Sequence, residues 1–207
     1  METLTTRLLS SDAWPDFARL VETNNGVWGG CWCMGFHPEG VGKKGQTAEH
    51  NREAKLCHVS AGTVHQVLVY DGDQCVGWCQ FGRPPELPNI LNRRRYEQGL
   101  IDPPDWRIGC VFTNSRSRGR GIASAGVRAA LDEIRAAGGG IVEAYPEQTR
   151  DRPPQRGAYL HTGPEELFMR YGFVRVRQIA KWRWVMRAEL TPSRGTEAGD
   201  DEVVPVR

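Results

Sequence analysis

WRIGCVFT-NSRSRGRG-IASAGVRAAL, residues 106–131, is the stretch on which the reading of this chain turns. Its first eight residues are apolar and β-rich and predict a strand over 106–113. Its last ten open a helix that sets Val127, Leu131 and Ile134 on one face and stops at the glycines 138–140. Between the two lies a short loop of arginines and glycines, 115–121. A loop of this kind at a helix start points successive backbone N–H groups outward. Together with the positive end of the helix dipole, they form a site for a phosphate or pyrophosphate. Gly119 and Gly121 let the main chain approach an anion with no Cβ in the way, and Arg118 and Arg120 add charge at the rim. In isolation, R-x-x-G-x-G is equally well a hydrated surface loop. The strand before it and the helix after it favour the anion site.

Working outward, LTTRLL (4–9) reads as a short strand. Ser11 or Asp12 then caps a helix with Trp14, Phe17 and Val21 on one face, and Pro15 is tolerated there because it falls in the first turn. Residues 24–45 are rich in glycine and aromatics and follow neither period, so they form an irregular segment that packs over something. Thr47 caps a mostly polar helix ended by Gly62. HQVLVY (65–70) and QCVGWCQFG (74–82) form a hairpin across the turn DGD. NRRRYEQG forms a short helix ahead of the strand at 106–113. After the central helix come a strand at 141–146, a polar loop, a helix opened by Gly163 and Pro164, and one or two closing strands in VRVRQIAKWRWVMRAEL. From Thr191 onward the composition predicts a disordered tail, leaving one domain over 1–190. The order is β-α-α-β-β-β-α-β-α-β. Three successive strands ahead of the central helix, two of them in a tight hairpin, argue for an α/β (α+β) fold with a mixed sheet rather than a doubly wound parallel one.

Composition bounds the function. The chain has 207 residues, 39% of them apolar, with seven tryptophans, which suits one well-filled domain. A net charge of +2 gives no electrostatic argument for nucleic acid or an anionic membrane. METLTTRLLS is not a secretory leader, and no apolar run approaches membrane-spanning length, so a cytoplasmic protein, monomeric or homodimeric, is expected. In that compartment the six cysteines are thiols, and Cys75, Cys79 and Cys110, set in apolar segments, read as small packing residues.

The segment SRSRGRG-IA resembles the acyl-CoA-binding signature R/Q-x-x-G-x-G/A of the GNAT N-acetyltransferase superfamily. Two registers fit, Arg116…Gly119…Gly121 and Arg118…Gly121…Ala123, the second being the commoner form among relatives. The resemblance runs over about 3–190. It includes GWCQFG, VEAYP and LFMRYGF, and with GCWCM and ELP it is similar to a bacterial subgroup of that superfamily. It implies a mostly antiparallel twisted sheet with helices on both faces, in which strands 106–113 and 141–146 are parallel neighbours that splay apart. It also implies acetyl-CoA as co-substrate. The pantetheine arm would pair with the main chain of Val111, Phe112 and Thr113, and the pyrophosphate would lie on Arg118, Gly119, Arg120, Gly121, Ile122 and Ala123. The acceptor would be a primary amine of a small molecule or peptide, attacking the thioester directly.

Such an attack needs a group that removes a proton from an ammonium of pKa about 10. Glu143 is the first candidate: it sits mid-strand at the implied splay in an apolar run, where a charge needs either a function or an ion pair with a neighbouring arginine. Asp105 and His161 are weaker candidates, His161 reading better as a hydrogen-bonding loop residue. Many relatives carry an acid tyrosine four residues before the GF of the last helix. Here that position is Phe168, so the acid falls to Tyr145, Tyr159 or Tyr171, and Tyr171 stands at what is usually a packing position. A thiol of pKa about 8.5 also leaves without a dedicated acid, at some loss of rate.

Trp28, Trp32, Met34 and Phe36 either line the acceptor site or plug the open end of the sheet. Cys31-x-Cys33 with His37, Cys57 and His58 has poor zinc-ligand spacing, and no metal is expected. Arg93, Arg94 and Arg95 read as a solvated helix face. The competing function is an acyl-CoA-binding or sensor domain of the same fold without catalysis, which Phe168 favours.

Overall fold

The computed structural model describes residues 3–24, 26–27, 29–42, 46–155 and 157–193, without the side chains of Ala158 and Tyr159. Seven strands form one sheet: β1 (Thr5–Leu8), β2 (His65–Asp71), β3 (Gln74–Gly82), β4 (Trp106–Thr113), β5 (Gly140–Ala144), β6 (Val174–Ala180) and β7 (Arg183–Leu190). Their spatial order is β1-β2-β3-β4-β5-β7-β6. Every neighbouring pair is antiparallel except β4 and β5. The helices are α1 (Trp14–Thr23), α2 (Ala48–Ser60), α3 (Arg93–Gln98), α4 (Ile122–Ala136) and α5 (Glu165–Met169). The mixed sheet expected from the element order, in the mostly antiparallel form that the resemblance implies, is the sheet observed, and the closing segment supplies two strands.

The parallel pair is short. Trp106, Arg107 and Ile108 match Val142, Glu143 and Ala144, and there the pairing ends. On the other side of β4 the register steps from Phe81↔Ile108 to Cys79↔Val111, so Gln80 alone faces both Gly109 and Cys110. Two residues against one is a β-bulge, which bends the strand and re-aims its side chains. Beyond it β4 follows β3 and parts from β5.

Alternation sorts the side chains to the two faces. On one face Val67, Cys79, Phe81, Ile108, Val142 and Ala144 pack on Val127, Leu131 and Ile134 of α4 and on Leu167 and Phe168 of α5. Gly126 brings α4 close to the sheet: a Cβ there would stand 3.2 Å from Cys79 Cβ. On the other face Leu68, Trp78 and Cys110 lie under α1, with Phe17 edge-on to Trp78 at 5.3 Å. Burying an aromatic of this size contributes about 2–3 kcal/mol.

The irregular segment after α1 roofs this second face. Trp32 stacks on Trp14 at 5.7 Å, and Met34 is fully buried. The roof is stitched down by side chains of the elements beneath it. Asn51 Nδ2 donates to the Gly30 carbonyl at 2.7 Å, Gln80 Nε2 to the Cys33 carbonyl at 2.9 Å, and Asn89 Nδ2 to the His37 carbonyl. Asn51 comes from α2, which starts with a capping box between Thr47 and His50 and turns Asn51, Lys55 and Val59, four residues apart, inward. The polar composition of α2 gave no sign that it buries a lysine.

At the far end, Thr191, Pro192 and Ser193 run on from β7, and the Ser193 N–H donates to the Arg135 carbonyl at 3.1 Å. The rest of the expected tail, 194–207, lies outside the described residues.

Gly77 marks where α4 and β4 press hardest on β3. A Cβ at this position would sit 2.5 Å from the Phe112 carbonyl oxygen and 2.6 Å from Ile122 Cγ2. Gly77→Ala is expected to cost about 2 kcal/mol of folding stability, measured as a lowered urea midpoint with an unchanged slope.

Candidate active site

Where β4 leaves β5, a groove of about 620 Å³ opens between the end of β4, the start of α4 and the segment leading into α5. Its floor is Val111, Phe112 and Thr113, and one wall is the loop that starts α4. That loop is built by its glycines. Asn114 Oδ1 accepts the Arg116 N–H at 3.2 Å and starts a 3-10 turn over Ser115–Ser117. Arg118 is then extended, and Gly119 (φ 77°) and Gly121 (φ 82°) take the left-handed conformation that side chains resist. Gly121 is the N-cap of α4 and offers no capping side chain, so the first-turn N–H groups face the groove uncapped. A Cβ on either glycine would meet no protein atom within 4 Å. Both glycines line the groove. Arg118 and Arg170 lie on the rim and supply positive charge.

Of the residues expected at the cofactor, Val111, Phe112, Thr113, Arg118, Gly119, Gly121, Ile122 and Ala123 all line this groove. Arg120 does not. Its guanidinium makes a two-point ion pair with Asp71 at the end of β2, Nη2 to Oδ1 at 3.0 Å, and so ties the loop to the β2–β3 hairpin. The main chain of Val111 also differs from expectation, because its N–H already donates to the His161 carbonyl at 2.7 Å.

A second cavity of about 240 Å³ lies beside the groove, lined by Cys31, Cys33, Phe36, Ile90, Leu91 and Cys110 among others. Its walls are mostly apolar. His161 lines both spaces, so they adjoin at this residue. Phe36 is thus the one described member of the predicted acceptor set that borders this cavity. Trp32 and Met34 point into the core, and Trp28 lies outside the described residues. Sequence patterning could not separate these aromatics, since which face each meets depends on the path of the roof.

The catalytic candidates are elsewhere. Glu143 and Tyr145 come together, but in the interior under α3, and neither lines the groove. The Glu143 carboxylate accepts from Tyr96 Oη at 2.7 Å, Tyr145 Oη at 2.9 Å and Arg187 Nε at 2.7 Å. Burial, with Glu143 beside it, pushes the Tyr145 phenol well above its ordinary value. This arrangement fits the ion-pair reading of Glu143: a buried charge fully satisfied by donors from three elements. Tyr171 donates to the Ser124 carbonyl at 2.7 Å and shares a hydrogen bond with its hydroxyl, which braces the first turns of α4 from behind. Phe168 is fully buried against Phe173. Among the described residues the set able to hold a metal is His37, Glu39 and His58, with no cysteine in it.

Comparison with known proteins agrees with this architecture. The sequence model of the acetyltransferase (GNAT) family matches residues 30–163. The chain belongs to the GNAT family. Its fold is similar to that of a GNAT-family acetyltransferase of Desulfovibrio desulfuricans, at 15% identity and TM-score 0.52, covering 90% of this chain and 99% of that one. It is also similar to a structure described as histone acetyltransferase HPA2 and related acetyltransferase of Corynebacterium glutamicum (18%, TM-score 0.53, covering 95% and 99%). A mosquito arylalkylamine N-acetyltransferase-like protein gives 12% and TM-score 0.54, covering 91% and 100%. At these identities the likeness shows the fold alone. No curated protein sequence matches the chain. The GNAT family generally uses acetyl-CoA, and the groove at the start of α4 has the residues to take such a donor: open main-chain N–H groups, two glycines without Cβ and two arginines.

Two outcomes are expected. Gly121→Ala places a methyl group in the groove and a side chain at positive φ. It should weaken CoA binding at least tenfold by calorimetry while costing only about 1–2 kcal/mol of stability. Glu143→Ala strands Arg187 and two phenols and should cost about 3 kcal/mol in urea unfolding.

Proposed function

We propose that this GNAT protein is an N-acetyltransferase that moves an acetyl group from acetyl-CoA to a primary amine of a small molecule or peptide, by direct attack of the amine on the thioester. One observation carries the reading: a groove with an uncapped helix start at one end meets an apolar cavity at His161, so a donor and an acceptor approach each other from two sides. The diphosphate lies on the main chain of 118–123, between Arg118 and Arg170. The pantetheine arm runs along Val111, Phe112 and Thr113, where the bulge has left one side of β4 without a neighbouring strand. The acceptor's carbon skeleton sits against Phe36, Ile90 and Leu91, whose apolar surfaces suit an amine with a partly apolar body.

The base in this reading is His161. It is the imidazole at the meeting point, its ring 6.1 Å from that of Phe36, and a neutral imidazole there accepts the amine's proton as the nitrogen adds to the thioester. Its carbonyl, held by Val111 N–H, fixes the backbone that carries the ring. Glu143 serves in this scheme as a buried brace. The thiolate of CoA leaves without a dedicated phenol, consistent with Phe168 at the position where relatives carry tyrosine. That same Phe168 supports a second reading, an acyl-CoA-binding domain that performs no transfer.

The two are separated by thiol release from acetyl-CoA across a panel of primary amines. Amine-dependent release supports the enzyme, and CoA binding with no release from any amine supports the binding domain. Within the enzyme reading, His161→Ala is expected to lower kcat by about 10²–10⁴-fold with CoA affinity little changed. Glu143→Gln should leave kcat within about threefold in the folded protein. A large loss in Glu143→Gln with none in His161→Ala would return the base to Glu143.

A further inference from the structure

Three thiols line the cavity beside the groove, and one of them is held differently from the other two. Cys33 Sγ donates to Gln80 Oε1 at 3.1 Å. The Gln80 amide nitrogen then donates to the Cys33 carbonyl and to His37 Nε2, both at 2.9 Å, and Lys55 Nζ stands 3.5 Å from that same imidazole nitrogen. Lys55 itself is completely buried, and burial holds its ammonium below the usual range. The group that does most to favour its charged form is Cys33, ahead of Glu86.

The thiols respond to this surrounding in opposite ways. Burial pushes Cys31 up to about 12, and contact with Cys33, with burial second, sets Cys110 well above the ordinary thiol value. Burial alone would raise Cys33 as well, but Cys110, Lys55 and Trp78 together outweigh it and hold Cys33 below its ordinary value. A thiol that lines a cavity adjoining the groove, with Lys55 among the groups that lower it, is in the setting of a reactive cysteine rather than of a packing residue. The backbone adds to the case. Trp32 and Cys33 are consecutive non-glycine residues at φ 45° and 57°, a conformation kept only where the surroundings enforce it. It brings the Cys33 thiol to Gln80, the residue facing the bulge, at the edge of the cavity.

We propose that Cys33 is an acylation site: when no amine occupies the cavity, its thiol takes the acyl group from the thioester delivered through the groove. The Cys33 sulfur adds to the thioester carbonyl, the bond from that carbon to the CoA sulfur breaks, and a new thioester forms on Cys33. The proton lost by Cys33 ends on the departing CoA thiol, and nothing is oxidised or reduced. One thioester replaces another, so the step needs no further energy source. The cavity, at about 240 Å³, admits a short acyl group such as acetyl. The proposal rests on the acyl-CoA reading of the groove, and it gives the GCWCM segment a chemical role besides lining the acceptor site.

The test is intact-mass measurement of the full chain incubated with acetyl-CoA and no amine, followed by peptide mapping, with calorimetry of CoA binding run in parallel. The expected result is about one added acetyl group per chain, mapped to Cys33, removed by neutral hydroxylamine as a thioester should be, and lost in Cys33→Ala but kept in Cys31→Ala. CoA binding without an adduct overturns the proposal and leaves the acyltransferase reading standing. So does an adduct that maps to Cys31, Cys110 or a lysine, or that resists hydroxylamine. Failure to bind CoA overturns both. Mapping on the unaltered chain decides the matter even if Cys33→Ala does not fold.

Discussion

The bulge opposite Gln80 is the constraint on which the site depends. A regular β4 would stay paired with β5 along its length and close the sheet. The extra residue at Gly109 and Cys110 lets β4 keep its bonds to β3 while turning away from β5 after only three matched pairs. The gap that results is the floor of the groove, and α4 starts at its end because the strand stops there. The same irregularity frees Gln80 from a regular cross-strand neighbour. Its side chain reaches the roof instead and fixes Cys33 and His37. Cleft and cover therefore have one origin.

The two faces of the sheet are held by different physics. Under α4 the contacts are apolar and continuous, from Val67 to Ile134, and the helix that follows the glycine-bearing loop rests on them. The opposite face is a mixed interior. Alongside its aromatics it buries Lys55, Gln66, Gln80, Arg107 and Glu143. Each such group is costly unless answered by a partner, and most are: Arg107 reaches the Leu87 carbonyl at 2.8 Å, while Arg187 and two phenols answer Glu143. A polar interior of this sort ties α3, β5 and β7 into one arrangement.

Much of this was legible in the chain. Strand 106–113 and the helix starting at Ile122 sit where local pattern put them, because apolar periodicity and a glycine-bearing loop fix such boundaries over a few residues. The glycine-bearing loop at the start of α4 was legible for the same reason. What could not be read depended on partners distant in sequence. Arg120 looks like Arg118 until Asp71, 49 residues away, claims it. Glu143 reads as a lone carboxylate in an apolar strand until Tyr96 and Arg187 are seen around it. Trp32 and Phe36 are alike in composition and differ only in which side of the roof they reach. Lys55 was hidden most deeply, since a lysine on a polar helix ordinarily faces water, and only its four-residue spacing from Asn51 and Val59 hinted at an inward row.

The manner in which the roof is fastened has a consequence for how such a protein can change. Asn51, Gln80 and Asn89 all grip carbonyl oxygens, at Gly30, Cys33 and His37, and only Gln80 also holds roof side chains, the Cys33 thiol and the His37 imidazole. Peptide carbonyls are the same whatever residue bears them. The path of the segment is therefore set by the scaffold below, while the groups it presents to an incoming molecule are left to vary. A lineage built on this fold can exchange Phe36 or its neighbours, and so reshape the cavity they line, without having to find a new way of folding this segment.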